Sequence, residues 1–511
     1  MSDSTLTPAT NGATIPFTQI PQQWQLPGTY MEVQPSYSNQ GVLPWPARAL
    51  IIGQALTGAT GALGVPTQIT RVAQATAFWG AGSMVEGMVA AFIAGNPYVP
   101  LDVIAVADAE GATKAAGNFT MGGSWSTPGT LAMYVCGVRV QVGVSGTDTP
   151  VTIAADAVAA INTVVAGSLA LPVVATVGGE GNTEIIVTAL NGGLESNNIL
   201  LEDSAESGDC LPAGMTVAIT AMTGGATNPE IGPVIEEITG IWYTDIVCPW
   251  QDQANLTALA TELATRYGAM EVEDGHAYVA WSGTLAQGQA LQAEINSPYI
   301  SPLQPAAAAA SLPSPPWAYA ASLGGVASFA TTNDPAKQLG SLALPGIIGP
   351  RGGNRLMTTE KNLALAGGLS PINVMPDGTV ELTRVVTSYL TNAQGVADPS
   401  WHDIMTPKVM SRIRYDWNAY SKLIYPGNKL ADDGSLAAQS DSTVATPNRL
   451  KASWAARYRV YEQNGWLEND ALATQANFVR SANDPNRVNY TVPVQIIGNL
   501  MILAGVMQFQ L

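Results

Sequence analysis

The chain has 511 residues, 47% of them apolar and only 12% charged, with a formal net charge of −18. That length fits two to four domains with ample material for buried cores, while the acidic balance argues against a general nucleic-acid binder, which needs a basic face. The three cysteines, Cys136, Cys210 and Cys248, are odd in number and far apart; they give no disulfide framework or zinc spacing and fit a reducing compartment.

Residues 1–24 read as a loose polar arm, since Pro16 and Pro21 prevent a regular helix. They lack the basic start and apolar core of a signal peptide. A Pro–Gly turn then feeds an alternating strand over Leu26–Val33. Ala47–Leu56 reads as a buried strand, Ser83–Ala94 as a helix capped by Ser83, and Pro100–Asp108 as a further strand. Strand, helix, strand is the α/β rhythm.

Residues 111–230 change character. Two alternating strands in "GTLAMYVCGVRVQVGVS" precede a helix in "TPVTIAADAVAAINTVV", and three more strands follow, closing with "MTVAITAMTGGATNP". This segment is expected to form an inserted α+β domain. The α/β rhythm returns over 231–370. Trp242–Val247 is a strand, and Asp252 or Asn255 caps a helix whose apolar stripe is Leu256, Leu259, Leu263 and Tyr267. "HAYVAWSG" is the next strand and "LAQGQALQAEIN" the next helix. A proline-bounded stretch then leads to a helix lined with small side chains.

From Pro376, "PDGTVELTRVVTSYL" starts with an Asp–Gly turn and becomes a strand with Val380 and Leu382 on one side and Glu381 and Thr383 on the other; a helix is expected to start toward its end. Asp403–Pro426 predicts a long helix with basic residues. A loop separates it from a second helix that ends at Gly465, after Asn464. "NRVNYTVPVQIIGNLMILAGVMQFQL" reads as one or two final strands; Gln495, Asn499 and Gly505 make a membrane span a weak reading of it.

Groups able to do chemistry are scarce. His276, near Asp274, and His402, beside Asp403, are the only histidines, and neither sits in a metal-ligand cluster. "GATGALG" at 58–64 lacks the lysine of a phosphate loop, and "GPRGGNR" and "GGEGN" read as ordinary loops. Cys136 and Cys248 are expected inside apolar strands as structural thiols. The cations, by contrast, cluster: nine of the 21 lie between Lys408 and Arg459. Lys408, Arg412, Arg414, Lys422, Arg457 and Arg459 are candidates for an electrostatic seam that meets an acidic neighbour; a solvated helix face is the plain alternative. The two ends suggest arms that add strands to another subunit's sheet, with Tyr30, Val33, Val492, Val494 and Ile496 as candidates. Strands used within the chain fit the same composition.

"IPFTQIPQQWQLPGTYMEV", "FWGAGSMVEGMVAAF" and "PDGTVELTRVVTSYL" followed by "DIMTPKVMSRIRYDW" together resemble the contractile tail sheath proteins of Mu-like bacteriophages. One departure is Trp79, which stands between Phe78 and Gly80 of the second motif. The resemblance spans the chain and is weakest over 111–230. It implies an α/β multidomain protein with a mixed-sheet sheath core, an inserted outer α+β domain, and extended N- and C-terminal arms. The boundaries expected are an arm over 1–24, core over 25–110, outer domain over 111–230, α/β sheath domain over 231–370, C-terminal core and interface helices over 371–488, and an arm over 489–511.

The same resemblance implies a structural subunit that uses no cofactor. It would stack as hexameric rings around a tail tube protein, meet baseplate and tail terminator proteins, and reside in the virion after assembly in the host cytoplasm. Direct nucleic-acid contact and membrane insertion are not expected. Two other classes stand as alternatives: a capsid or other phage shell protein, which shares the acidic, Gly-rich character, and an α/β hydrolase-like enzyme. The latter would need Asp274, His276 and Cys248 to converge in one pocket.

Overall fold

A computed structural model describes residues 25–31, 41–166, 169–309 and 311–510. At its centre is an eight-stranded mixed sheet. In chain order its first members are β1 (Ala49–Gln54), β2 (Thr67–Ile69) and β3 (Leu101–Val106), with helices α1 (Val72–Trp79) and α2 (Met84–Gly95) between β2 and β3. Ser83 caps α2 by accepting from the Glu86 N–H at 3.1 Å, so the expected helix start is met. Trp79, the departure in the second motif, is fully buried at the end of α1 and donates its indole N–H to Ala62.

Between β3 and the next strand of this sheet, residues 116–223 build sheets of their own. Strands β4 (Ala116–Gly123), β7 (Val173–Gly178), β8 (Glu184–Ala189) and β10 (Met215–Thr223) form one, in the order β10-β4-β8-β7. Strands β5 (Gly129–Val135), β6 (Val138–Val144) and β9 (Leu201–Asp203) form another. Helix α3 (Pro150–Thr163) starts at the Thr149 cap. Cys136 is not inside a strand as expected. It occupies the two-residue turn Cys136–Gly137 of the β5–β6 hairpin with φ +52°, where a turn with two left-handed residues matches the strand twist.

The central sheet resumes with β11 (Asp245–Val247), α4 (Gln253–Arg266), β12 (His276–Ala280), α5 (Leu285–Ile295), β13 (Ile300–Gln304), α6 (Pro316–Asn333), α7 (Thr358–Ala366), β14 (Ser370–Val374) and β15 (Val380–Leu382). Its order is β15-β14-β13-β12-β11-β1-β3-β2, parallel except for β2 and β15 at the edges. Strand β1 therefore lies between β3 and β11, so the chain winds outward from it in both directions.

Alternation along β1 explains the layers. Leu50 and Ile52 face one core with Leu256, Leu259 and Leu263 of α4, while Ala49 and Ile51 face the other with Met88 and Phe92 of α2 and Leu323 of α6. Helices α2 and α6 approach closely because α6 is built of small residues. A Cβ added at Gly325 would lie 2.5 Å from the carbonyl oxygen of Phe92. The Asp377–Gly378 turn joins β14 to β15, with Val380 and Leu382 inward as expected. No helix starts over 383–390. The segment instead runs irregularly, held by Arg384, whose Nε and Nη2 bond Asp403 at 2.9 and 2.8 Å.

The C-terminal part holds α8 (Met405–Ile424), α9 (Pro447–Gln463), and a two-stranded antiparallel hairpin of β16 (Asn477–Arg480) and β17 (Val488–Thr491). Beyond Thr491 the chain forms no further strand, only an isolated bridge at Ile496. Residues 25–31 also form no strand, in contrast to the expectation for Leu26–Val33. Val33 and the 1–24 arm lie outside the described residues.

Candidate assembly surfaces

The amino ends of the central strands carry a layer of buried polar groups, and α8 docks on it. The Asp245 carboxylate, at the start of β11, accepts from Tyr278 OH at 2.8 Å, Thr244 Oγ1 at 2.7 Å and Lys408 Nζ at 2.7 Å. Burial beside this carboxylate pushes the Tyr278 phenol far up, so it stays a donor. Farther along α8, Arg414 bonds Asp274 and the Tyr267 carbonyl, with its guanidinium 4.2 Å from the Tyr267 ring centroid. Arg457 of α9 grips Asp416 of α8 through Nε at 2.9 Å and Nη2 at 2.6 Å, and Tyr461 OH donates to the same carboxylate at 2.7 Å.

The six cations grouped in the sequence thus separate. Lys408, Arg414 and Arg457 bind carboxylates inside the chain. Arg412 is buried with its guanidinium against Trp45 and Trp466. Lys422 and Arg459 face solvent. Periodicity alone could not make this division, because the acidic partners Asp245 and Asp274 are distant in sequence.

The β16–β17 hairpin rests on aromatic packing. Phe478 and Tyr490 stack across the two strands with ring centroids 5.1 Å apart, and Trp417 of α8 meets both edge-on. Both outer edges of this small sheet are unpaired among the described residues. The following segment is pinned at a few points. The Gln495 carbonyl accepts from the Glu468 N–H, the Ile497 N–H donates to Trp466, and Asn499 bonds Ala336 and Gln338. Ile496 bridges Leu467, and Val492 and Val494 are half-buried, so these three candidates touch their own chain. Past Asn499 that anchoring stops: Leu500, Ile502, Leu503, Val506, Met507 and Phe509 are 81–94% exposed. Tyr30 is also exposed, with Leu26 and Met31.

The groups proposed for hydrolysis do not form a catalytic set. Cys248 lies just past the end of β11 rather than inside a strand as expected; its thiol is buried, pushed far up by desolvation, and turned to the Trp250 carbonyl. Asp274 is held by Arg414. His276 is buried, its Nε2 lies 2.8 Å from Ser301 Oγ, and burial holds its pKa well below the ordinary value. His402 sits half-buried with Nδ1 3.4 Å from the Tyr389 carbonyl. Among the described residues no group of three or more His, Cys, Asp or Glu could hold a metal ion, and no helix is long and apolar enough to cross a membrane.

The carboxyl ends of the strands, where an open α/β sheet holds a small ligand, are partly filled by residues 191–198 from the 116–223 region. Asn191 bonds Ala55 and Asp108, and Gln54 donates to Asp108 and to the Gly192 carbonyl. A cleft of about 420 Å³ remains, lined by Glu195, Gln251, Trp281 and Ser282 among others. Glu195 accepts from the Gln251 N–H at 3.1 Å, Gln251 Nε2 at 2.6 Å and Asn198 Nδ2 at 3.0 Å, yet burial pushes its pKa up to about 7. The folded chain therefore holds this proton more tightly than the unfolded one. The contribution to stability is full below the ordinary carboxyl pKa and is lost as pH rises through about 7. Glu195→Gln should remove that loss. Between pH 5 and pH 8 the variant should gain on the wild type by on the order of 3 kcal/mol in urea unfolding; parallel pH profiles for the two would refute the assignment.

Comparison with known proteins gives a consistent match. Residues 224–388 match the family model described as the phage tail sheath protein central domain, and 396–510 match the phage tail sheath C-terminal domain. Together the two cover more than half of the chain. The Mu-like prophage FluMu tail sheath protein of Haemophilus influenzae is 28% identical over 497 residues, covering 97% of this chain and 99% of that one. Among solved structures, a sheath tail protein from Desulfitobacterium hafniense aligns over 92% of this chain and 100% of its own at 11% identity, with a TM-score of 0.47. The anti-feeding prophage helical sheath in the contracted state aligns over 95% and 99% at 11% identity, with a TM-score of 0.46.

Proposed function

The chain belongs to the phage tail sheath protein family, and from that membership we propose how this subunit is built into its lattice. It is a structural subunit of a contractile tail sheath and resides in the tail of the virion. Copies stack as six-membered rings around a tail tube protein, ending at baseplate and terminator proteins. The lattice shortens to drive the tube through the host envelope.

The observation that carries the linkage is the pairing of two unsatisfied features in one chain. The β16–β17 hairpin has open edges, and the apolar tail over 500–510 is exposed. An exposed apolar segment beside an unpaired edge favours strand addition between copies. In this reading the tail, and the 1–24 arm, enter a neighbour's hairpin sheet, keeping subunits connected while rigid bodies rotate and slide. No nucleotide is consumed; the shortened lattice must lie lower in free energy than the extended one, behind a barrier.

The region over 111–230 is the inserted outer domain. Its own sheets, and the start of the family match at 224, support that reading. The electrostatic seam to the tube or an adjacent subunit rests on Lys422 and Arg459, which face solvent. Lys408, Arg414 and Arg457 act instead by fixing α8 and α9.

Negative-stain electron microscopy of the purified chain, with and without its tube protein, tests the assembly. Hollow helical tubes or stacked six-fold rings are expected. A monodisperse monomer in both samples would overturn the sheath assembly, and closed icosahedral shells would favour the capsid alternative. In the same assay, reversing Lys422 and Arg459 together to Glu should reduce the yield of sheathed tubes severalfold; unchanged yield removes these two charges from the interface.

A further inference from the structure

Arg412 differs from the other inward-facing cations of α8 and α9. Its residue is 8% exposed, yet Nε and Nη1 are buried and have no hydrogen-bond partner among the described residues. No carboxylate lies within ion-pair distance of it there. Asp416, one helical turn on, is turned to Arg457 and Tyr461. The guanidinium lies between two indoles, with its Cζ 5.3 Å from the Trp45 ring centroid and 5.4 Å from that of Trp466. Such rings attract a cation by their faces but cannot accept hydrogen bonds in the guanidinium plane. A buried charge with unmet donors is costly unless a partner arrives.

The position indicates where that partner comes from. Trp45 packs edge-on against Trp242 and Tyr415, and Trp466 stacks on Tyr461. The Trp466 carbonyl accepts from the Ile497 N–H, the last backbone anchor before the exposed tail. The cage thus borders the segment that leads to the tail proposed to join subunits. The chain also carries 39 acidic residues against 21 basic ones, so each copy offers carboxylates in excess.

We propose that Arg412, framed by Trp45 and Trp466, is the receiving site for a carboxylate of a second copy of this chain, which enters the cage as subunits polymerise. This rests on the sheath reading, in which copies meet one another. The incoming carboxylate accepts from the planar N–H donors while the indoles keep water from the pair. It gives the lattice a contact that depends on one charge and a defined orientation, a use better suited to register than to bulk affinity.

The test separates this from a packing role. Arg412→Met retains much of the side-chain volume and removes the buried charge. It should leave the melting temperature of the unpolymerised chain unchanged or higher, and raise the concentration needed for half the chain to sediment as polymer by about tenfold or more. Polymerisation at the wild-type concentration would overturn the proposal. A second variant covers the case in which Arg412→Met fails to fold. Arg412→Lys places an amine in the cage, and zero-length carbodiimide coupling then joins it to any adjacent carboxylate. In polymer mixed from isotope-labelled and unlabelled chains, mass spectrometry should find position 412 joined to an Asp or Glu peptide of another copy, and not in the unpolymerised protein. Polymer without that cross-link would overturn the proposal. If the wild type itself forms no polymer, the sheath reading fails first.

Discussion

Truncating the chain after Asn499 should give a subunit that folds normally and does not polymerise. The cut spares the anchors at Gln495, Ile497 and Asn499, and removes a segment whose large apolar side chains, apart from the partly covered Met501, are almost wholly in solvent. Its loss should change stability by no more than about 0.5 kcal/mol, the usual effect of altering surface residues. In the lattice the same side chains would leave water, and an added strand would pair the open edge of the β16–β17 hairpin. Sedimentation should find no polymer at concentrations where the full chain is mostly polymerised. Normal tubes from the truncated chain would end the strand-addition model for this arm. Loss of the melting transition would show that the tail belongs to the subunit's own core.

The central sheet was legible because its strands are continuous apolar runs bounded by turns, and its helices carry clear caps such as Ser83 and Asp252. The alternation at Val380 and Leu382 fixed the inward face of an edge strand. The cysteine turn at 136–137 is not legible in the sequence, because an apolar run gives no sign that two left-handed residues interrupt it. The division of the basic cluster is hidden for a related reason. A charge run reveals spacing along a helix, whereas its partners Asp245 and Asp274 come from strand starts more than a hundred residues earlier. The Glu195 contacts at the carboxyl edge depend likewise on a segment returning from the 116–223 region, and no local pattern marks that return. The exposed tail was expected as strand. Its apolar run does suit a strand, but among the described residues it pairs with no edge of its own chain past Asn499.

Asp416→Ala should be among the most damaging single substitutions in the C-terminal part, lowering stability by about 3–5 kcal/mol. The carboxylate is fully buried, and Arg457 Nε and Nη2 and Tyr461 OH donate to it among the described residues, so its removal takes a charged acceptor away from a buried guanidinium. Arg457 also lies 4.8 Å from the Tyr420 ring centroid, but a ring face cannot replace a carboxylate in the guanidinium plane. The consequence extends to assembly. Trp417, the next residue on α8, packs on Trp454 of α9 and on the Phe478–Tyr490 pair of the hairpin. Loosening α8 from α9 therefore weakens the platform proposed to receive a neighbour's strand. Urea unfolding of the unpolymerised variant should show a midpoint lowered in proportion. Replacing Asp416 and Arg457 together by Leu and Met should recover most of the loss, because a buried pair can be exchanged for apolar groups far more cheaply than it can be broken. A loss below about 1 kcal/mol for Asp416→Ala would show that the guanidinium finds another partner when α8 and α9 separate.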